Sequence, residues 1–552
     1  MNNVENSLKE AFYQAIKKID ESIELNQDEI VIEIPKDTSK GDYATNVAMK
    51  YAKVLKNNPQ NVAKMIIENI DMSSANIQSL DVAGPGFINI SMDKESLANI
   101  LVEIVKQGKD YGQWPQEDDL VYNVEYVSAN PTGDLHLGHA RQASLGDSIT
   151  RIYKKAGYNV VREYYINDAG NQINNLAKSV IVRYHELYDI PMDMPEDGYF
   201  GQDIKDIAKL IQTLVKDKYV NNYDNEEAFE YFKETAKAFE LDKIKKHLQD
   251  FRVEFDVWTS EQKLYDDGKV DECIQLLEEK GATYEKDGAL WLETTKYGDD
   301  KDRVLRKSDG SLTYLTPDIA NHLQKLDAGA DVMVDLWGAD HHGYIKRMKA
   351  ALEFAANKSD KFDVDIVQLV RLIEEGKEVK MSKRSGNAIG LNDLCEEVGT
   401  DAVRYFFASR AGASHFDFDL GLARSKSNEN PVFYAQYAHA RICSILKLGK
   451  ELKLDDNVDL SLLKEEKEIS LMKQLNEFGS VVKSAASERA PHKVINYIQK
   501  LASLFHSYYN EHKVIDQDNI ELTKARILLL AATKITLANA LELVGVSAPE
   551  QM

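Results

Sequence analysis

The sequence contains very little cysteine, and the few cysteines are scattered. Only Cys273, Cys395 and Cys443 occur among 552 residues, and no two of them form a Cys-x-x-Cys pair. Thiolate zinc sites need closely spaced cysteines, and secreted proteins held by disulfides carry many of them. The sequence therefore predicts a chain that works in the reducing cytoplasm and builds no zinc site from thiolates.

Long hydrophobic runs are missing as well. Residues 1–7 are polar and acidic, and they are not followed by the apolar segment of a secretory signal. Nowhere does an apolar run approach the roughly 18 residues that a membrane-spanning helix needs. We therefore expect neither a signal peptide nor a membrane partner.

Positive charge is the third shortage. The chain has 68 lysines and arginines against 91 aspartates and glutamates, which gives a formal net charge of −23. A protein that coats nucleic acid depends on many phosphate contacts, so this charge argues against that class. A nucleic-acid partner that binds through local basic patches is compatible with the charge balance. The length predicts about three domains, and 43% hydrophobic residues are enough for large cores.

What the sequence does contain is a strand–turn–helix unit in its first third. Residues 121–127 alternate β-branched and aromatic side chains, which is typical of a buried strand. Residues 128–141 read Ser-Ala-Asn-Pro-Thr-Gly-Asp-Leu-His-Leu-Gly-His-Ala-Arg, and residues 140–153 have the apolar spacing of a helix. Open α/β sheets bind nucleotides at such a turn, where a helix start faces the phosphates. By itself His-x-Gly-His is a common string, and two histidines three apart can also hold a metal.

A second informative stretch lies about 240 residues further on, where residues 378–387 read Glu-Val-Lys-Met-Ser-Lys-Arg-Ser-Gly-Asn. Small residues break this basic run into a loop, in which Lys380 and Lys383 can act as mobile charges over a polyphosphate. Together the two stretches resemble the HIGH and KMSKS signatures of class I aminoacyl-tRNA synthetases. Leu137 replaces the isoleucine of the first signature. Arg384 stands where the second has serine, which adds a cation near the phosphates.

Further stretches narrow the resemblance to the arginyl-tRNA synthetase family of bacterial type. They cover nearly the whole chain and comprise residues 125–131, 308–310, 314–318, 338–344, 430–441 and 544–549. The resemblance implies an α/β fold, with a Rossmann-like parallel-sheet catalytic domain, an N-terminal α/β domain and a C-terminal α-helical bundle. The implied domains are residues 1–115, which contact the tRNA elbow, 116–400, which are catalytic, and 401–552, which bind the anticodon. An insertion at about 190–255 matches no motif.

The implied activity is the ATP-dependent ligation of L-arginine to tRNA(Arg) through an arginyl-adenylate, with release of AMP and pyrophosphate. The partners would be ATP, L-arginine and tRNA(Arg), and we expect the chain to act as a monomer. No cluster of metal ligands is visible in the sequence. Mg²⁺ is therefore expected to arrive with ATP rather than at a site of its own.

The resemblance also assigns roles to individual residues. The catalytic residues would be His136, His139, Lys380 and Lys383, which stabilise charge at the phosphates. ATP would contact Pro131, Thr132, Gly133, His136, Gly138, His139, Gly338, Asp340, His342, Met381, Ser382 and Lys383. Arginine would contact Glu125, Ser128, Asn130, His139, Tyr314 and Asp318. A guanidinium has five fixed donors, so carboxylates, amide oxygens and an aromatic face suit it well.

Two of these assignments have simpler explanations. Asp318 follows Pro317 at a predicted helix start, where an acid stabilises the helix dipole without binding any substrate. Asp340 with His341 and His342 could be a metal site, although the other strand-end turns favour a nucleotide. Local patterns also predict a helix over residues 41–55 and a short strand over residues 311–315.

Other functions remain open from the sequence. One is a nucleotidyltransferase of the HIGH type that acts on a small molecule, and pyrophosphate exchange driven by a non-amino-acid would favour it. Another is an inactive relative that is kept for RNA binding or regulation, against which the intact histidines and lysines of both signatures argue. Among the synthetases, the glutamyl and cysteinyl enzymes are the nearest alternatives. The missing zinc-type thiols count against the cysteinyl enzyme.

Overall fold

The computed structural model describes residues 4–33, 35, 41–116, 119–379, 389–451 and 458–552. Along these ranges the chain forms a small antiparallel sheet with helices, then a central parallel sheet flanked by helices, and finally a helical bundle. This arrangement confirms the predicted fold class. None of the described helices is both long and apolar enough to cross a membrane.

The first region is an antiparallel sheet with helices packed on it. Its elements are α1 (Val4–Ile19), β1 (Ile32–Glu33), β2 (Tyr43–Thr45), α2 (Val47–Tyr51), α3 (Pro59–Asn69), β3 (Ile77–Ala83) and β4 (Phe87–Met92). The strand order is β1-β2-β4-β3, and all neighbours are antiparallel. Leu8, Phe12 and Ile16 of α1 fill the core at helical spacing, which explains why this segment is a helix.

The predicted helix over residues 41–55 is wrong in its first part. Tyr43 and Thr45 pair with Ile90 and Ile88 of β4, so residues Tyr43–Thr45 form a strand. Only Val47–Tyr51 are assigned to α2. The local composition is compatible with a helix, but pairing with a strand much later in the chain overrides that preference.

The second region holds the central sheet. Its elements are α4 (Lys94–Gln107), β5 (Val121–Glu125), α5 (Leu137–Lys155), β6 (Asn159–Ile166), α6 (Asn171–Glu186), α7 (Gln202–Val215), α8 (Glu226–Asp250), β7 (Val257–Ser260), α9 (Glu261–Asp266), α10 (Lys269–Glu279), β8 (Thr283–Lys286), β9 (Ala289–Leu292), β10 (Arg303–Arg306), α11 (Leu315–Asp327), β11 (Val332–Gly338), α12 (Ile345–Ala356), β12 (Phe362–Val367), β13 (Val370–Glu374), β14 (Lys377–Val379), α13 (Leu391–Val398), α14 (Thr400–Ala408), β15 (Phe416–Asp419) and α15 (Leu420–Arg424).

Five parallel strands lie in the order β12-β11-β5-β6-β7. The chain runs from β5 outward through β6 to β7, and then returns to the other side of β5 to form β11. The strand order therefore reverses between β5 and β11. Ligands of open α/β sheets bind in the crevice beyond the carboxyl ends of the strands at such a switch point. The predicted strand and helix on either side of the first signature are confirmed as β5 and α5.

The predicted strand over residues 311–315 is wrong. Leu312 makes one isolated bridge with Arg306, and Thr313 N donates to Leu305 O at 2.9 Å. Leu315 already belongs to α11, whose first turn contains Pro317 at a position that needs no N–H donor. β9 pairs with β10 in antiparallel fashion just before this segment.

The last region is a bundle of helices, as predicted. It comprises α16 (Pro431–Glu451), α17 (Glu466–Asn476), α18 (Phe478–Ser487), α19 (Pro491–Glu511) and α20 (Ile520–Leu543). Its apolar side chains do not form a separate core. Leu501 of α19 and Leu541 of α20 belong to the same buried cluster as Ile149 of α5 and Phe407 of α14. The bundle is thus packed directly against the helices that flank the central sheet.

Candidate active site

The two signature histidines lie at the start of α5 and hold each other in place. His139 N donates to His136 Nδ1 at 3.2 Å, and His136 N donates to His139 Nδ1 at 3.4 Å. The two rings stack with centroids 3.5 Å apart and planes 17° from parallel. Because each Nδ1 accepts a backbone N–H, a neutral ring must carry its proton on Nε2.

Burial favours the uncharged form of both histidines. Burial lowers the pKa of His139 to about 3, and repulsion from His136 adds to the effect. Burial also lowers the pKa of His136, although the carboxylate of Asp340 acts in the opposite direction. The pair therefore presents two Nε2–H donors at a helix start rather than two positive charges.

Gly138 lies between the histidines because a side chain would not fit there. A Cβ atom at this position would lie 2.8 Å from Cε1 and 3.0 Å from Nδ1 of His136. The His136 ring could then no longer lie over the first turn of α5. The glycine of the signature is therefore needed for the orientation of the imidazole.

The turn that carries the predicted ATP contacts joins β5 to α5. Pro131, Thr132 and Gly133 form this turn, and Thr132 N donates to Asn130 O at 2.8 Å. On the neighbouring strand, Gly338 ends β11, and the exposed side chains of Asp340 and His342 follow it. These residues lie at or beyond the carboxyl ends of the adjacent strands β5 and β11.

The second signature falls outside the described residues, so Lys380, Met381, Ser382 and Lys383 have no described position. After it, Gly390 forms a bridge with His136, and Leu391 N donates to Leu135 O at 2.8 Å. Gly390 and Leu391 therefore lie beside the first signature.

The buried carboxylate of Asp318 lies close enough to that of Glu261 to affect its ionisation. Asp318 lies in the first turn of α11, and Tyr344 donates its hydroxyl to Asp318 at 2.6 Å. Burial raises the pKa of Asp318 to about 6. Glu261 begins α9, and burial together with the nearby charge of Asp318 raises its pKa to about 7. In the described part of the chain, no lysine or arginine forms an ion pair with either acid.

Tyr165 connects this acid pair to the floor of the crevice. Burial raises the pKa of the Tyr165 hydroxyl well above its ordinary value, and Asp318, Glu261 and Glu125 all add to the increase. The phenol therefore lies among three carboxylates. Tyr314, by contrast, is 68% exposed at the mouth of the crevice. Carboxylates with aromatic faces beside them are what a guanidinium needs.

Glu125 lies beneath this crevice rather than open to it. It is 7% exposed, and Ser128 Oγ donates to its Oε1 at 3.0 Å. The buried ammonium of Lys325 lies 2.5 Å from its Oε2 and 3.3 Å from Asp335. Asp335 and Glu163 flank Glu125 on the two neighbouring strands, so three acids form a row across the sheet. Lys325 offsets part of the negative charge of this row.

The backbone after β5 is strained. Val127 and Ser128 both have left-handed φ angles, 71° and 39°, which are rare for a β-branched residue. This geometry lets the Ser128 hydroxyl donate to Glu125 while it accepts Tyr165 N at 3.1 Å. Asn130 donates its amide to Gln172 Oε1 at 2.5 Å, which ties the turn to the first turn of α6.

Three family models match successive parts of the chain. The arginyl tRNA synthetase N-terminal domain matches residues 6–92, the class I (R) tRNA synthetase catalytic domain residues 96–408, and the DALR anticodon binding domain residues 435–552. The catalytic model alone covers more than half of the chain.

The chain belongs to the arginyl-tRNA synthetase family.

Close relatives agree with this assignment. The arginine–tRNA ligase of Bacillus subtilis strain 168 is 52% identical over 99% of this chain and 98% of its own length. The arginine–tRNA ligase of Bacillus pumilus strain SAFR-032 is 51% identical over 100% of this chain and 99% of its own. The solved Thermus thermophilus arginyl-tRNA synthetase has a TM-score of 0.77 with full coverage of both chains, and at 23% identity it shows the same fold. These findings favour the arginyl family over the glutamyl and cysteinyl enzymes.

Two residues of this crevice, Glu261 and Lys325, were not predicted from the sequence. Glu261 follows β7 directly, and the rule that functional side chains lie at strand ends would have drawn attention to it. Lys325 lies in the last turn of α11, ten residues before Asp335, and no local pattern separates it from an exposed lysine. The metal alternative gains no support, since no group of three or more potential ligands in the described ranges is arranged to hold an ion.

Proposed function

We propose that this chain ligates L-arginine to tRNA(Arg) in two steps that share the crevice between β5 and β11. The observation that carries the proposal is the pair of buried acids, Asp318 and Glu261, beside the neutral histidine pair. Two carboxylates with raised pKa values have no lysine or arginine paired with them among the described residues, and the guanidinium of arginine supplies a cation. The histidines then face the phosphates of ATP.

Arginine binds with its guanidinium between Asp318 and Glu261. Each acid accepts two of the five guanidinium donors, and Tyr314 covers the group from the mouth of the crevice. Glu125 holds Ser128 in place beneath the site and adds negative potential. Ser128, Asn130 and His139 then orient the amino and carboxylate groups of the substrate toward the histidine side.

In the first step a carboxylate oxygen of arginine attacks the α-phosphorus of ATP. The bond to the β-phosphate oxygen breaks, and pyrophosphate leaves with its electron pair. The Nε2–H groups of His136 and His139 donate to phosphate oxygens, while Lys380 and Lys383 balance the charge that develops on pyrophosphate. Mg²⁺ comes with ATP and supplies further positive charge there. Pro131, Thr132, Gly133, Gly138, Gly338, Asp340, His342, Met381 and Ser382 surround the nucleotide.

In the second step a hydroxyl of the tRNA 3′-terminal ribose attacks the carbonyl carbon of the adenylate. The bond to AMP breaks, and arginyl-tRNA forms. Neither step needs a covalent intermediate with a side chain. Catalysis is therefore a matter of orientation and of hydrogen bonds that are in place before the charge develops.

A partly exposed cluster in the bundle is suited to the tRNA. The Arg441 guanidinium lies 4.5 Å from the ring centre of Tyr437 and 5.0 Å from that of Tyr509. Phe433 stacks against Tyr437 on the same helix, with ring centres 5.9 Å apart. Aromatic rings with an arginine plane provide faces on which unpaired bases stack. We place the anticodon here, and we propose that the chain acts in the cytoplasm as a monomer.

The decisive experiment is charging of total bacterial tRNA with each of the labelled amino acids in turn. We expect arginine alone to be incorporated, with ATP and Mg²⁺ required. Incorporation of a different amino acid would overturn the proposal. Pyrophosphate exchange driven only by a non-amino-acid would support the small-molecule nucleotidyltransferase, and complete inactivity would support a non-catalytic relative.

A further inference from the structure

Helix α8 runs from the insertion into the catalytic core, so its side chains can link the two parts. The first half of α8 packs with α6 and α7 in a cluster of its own, in which Phe232 contacts the same core as Val180 and Ile207. The second half enters the main core through Ile244 and Leu248. A single helix of 25 residues thus connects both bodies.

Lys243 of α8 reaches the turn of the first signature. Its ammonium lies 3.3 Å from Asp134 Oδ1, 2.8 Å from Asp203 Oδ2 and 2.7 Å from Glu240 Oε2. The Lys243 side chain is only 17% exposed, and Glu240 beneath it is fully buried. Asp134 lies two residues before His136, so the position of this aspartate bears on the nucleotide side of the crevice.

Lys237 of α8 reaches the other side of the crevice. Its ammonium lies 3.6 Å from Asp168 Oδ2, in the turn after β6. Asp168 is 5% exposed, and it accepts Ser260 Oγ at 2.8 Å and Gln262 N at 2.9 Å. These two donors are the immediate neighbours of Glu261. Lys237 therefore acts on the start of α9, where the second acid of the arginine pocket lies.

We propose that α8 positions the two substrate sites separately, with Lys243 holding the ATP turn through Asp134 and Lys237 holding Glu261 through Asp168. The proposal rests on the proposed function, because it assigns the phosphates of ATP to the end of the first turn, next to His136, and the guanidinium of arginine to the start of α9. Partly exposed ion pairs contribute little to stability. Small displacements of catalytic groups nevertheless change rates strongly, so the contribution of these lysines is to geometry.

The test is steady-state arginylation by the full-length chain at saturating tRNA, with KM measured separately for ATP and arginine. Lys243→Ala is expected to raise the KM for ATP about three- to tenfold and to leave the KM for arginine within about twofold. Lys237→Ala is expected to do the reverse. Lys246→Ala is the matched control, because Lys246 lies on the same helix, is exposed and pairs with the exposed Asp250 at 2.6 Å. It should change neither constant.

Lys243→Ala also leaves Glu240 buried without its cation, so a second variant separates geometry from folding. Asp134→Asn breaks the contact with the turn but keeps Lys243 paired with Glu240 and Asp203. It should reproduce the rise in the KM for ATP with an unchanged unfolding temperature, and the double variant Lys243→Ala/Asp134→Asn should be no worse than Lys243→Ala alone.

Equal changes in both constants for either lysine variant, or additive effects in the double variant, would overturn the proposal while the arginylation activity stands. Failure of the unaltered chain to charge tRNA with arginine would instead overturn the proposed function.

Discussion

At the scale of single residues, the site combines neutral hydrogen-bond donors with two buried acids whose pKa values lie near neutral pH. The histidines are held neutral by burial, and each uses its Nδ1 to cap the other's backbone N–H. Burial raises the pKa values of Asp318 and Glu261 towards neutral pH, and the charge of Asp318 adds to the rise for Glu261. The pair thus favours a cationic ligand, because a guanidinium stabilises the ionised form of both acids.

Removing either acid should weaken arginine binding selectively. Asp318→Asn and Glu261→Gln should each cost about 2–5 kcal/mol in arginine affinity, which is a rise of thirtyfold or more in its KM. The KM for ATP should change little. Glu272→Gln is the matched control, since this acid is exposed on α10 and pairs with Lys269. An unchanged KM for arginine in Asp318→Asn would mean that this acid only stabilises the start of α11.

Arginine binding should also depend on pH. Both acids have pKa values raised above the ordinary values of 3.8 and 4.5, to about 6 for Asp318 and about 7 for Glu261. As the pH rises through this window both ionise while the guanidinium stays charged, so the KM for arginine should fall between pH 5.5 and 7.5. Profiles for Asp318→Asn and Glu261→Gln should each be flatter. A profile that is equally steep in both variants would contradict the assignment.

The raised pKa values of Asp318 and Glu261 also predict how the stability of the fold changes with pH. Between the unfolded and folded pKa values the folded chain binds more protons than the unfolded chain, so the free energy of unfolding falls as the pH rises from about 4 to about 7. Bound arginine should reverse this loss. Unfolding temperatures measured with and without arginine across this pH interval test both expectations.

At the scale of secondary-structure elements, the start of α5 is shaped by Gly138. Gly138→Ala should lower the rate of adenylate formation by about tenfold or more, because the new Cβ displaces the His136 ring. Alanine favours a helix by up to about 1 kcal/mol over glycine, so the unfolding temperature should not fall in step with activity. Gly343→Ala provides the control, because a Cβ there meets nothing within 4 Å. Full activity in Gly138→Ala would show that the ring orientation does not matter.

At the scale of the whole molecule, the catalytic region and the bundle are joined by a buried arginine. Arg404 is fully buried, pairs with Asp147 of α5, and donates to Phe251 O and Val544 O at 3.0 Å each. The insertion, the bundle and the helix of the first signature therefore meet at one guanidinium. A Cβ on Gly545 would lie 2.2 Å from this group, which explains the glycine near the end of the chain.

Arg404→Met should destabilise the whole chain. It removes one of the two arginines that pair with the buried Asp147, the other being Arg151, and it leaves two carbonyls without this donor. A loss of about 3–5 kcal/mol is expected. This loss of stability is measured as a lower midpoint of urea unfolding, followed in both the sheet and the bundle. Arg371→Met is the matched control, since Arg371 and Asp417 form an exposed pair, and its effect should stay below about 1 kcal/mol. Equal midpoints for the two variants would rule out Arg404 as a structural junction.

Much of this molecule follows from local sequence. The alternation in residues 121–127, the turn after it and the apolar spacing of residues 140–153 were enough to predict β5, the nucleotide turn and α5. These features depend on side chains that are close in sequence, so their pattern can be recognised from the sequence alone.

Only the tertiary structure decided strand pairing and the contacts between residues that are distant in sequence. Residues 43–45 form a strand because they pair with β4. Residues 311–315 do not form a strand, because α11 begins at Leu315. Glu261 faces Asp318 across 57 positions of sequence, and Lys325 reaches Glu125 across 200. Whether an acid is ionised, paired or ready for a ligand depends on burial and on such distant partners. The sequence by itself determined the chemistry available to this protein, whereas folding decided which acids were left for arginine.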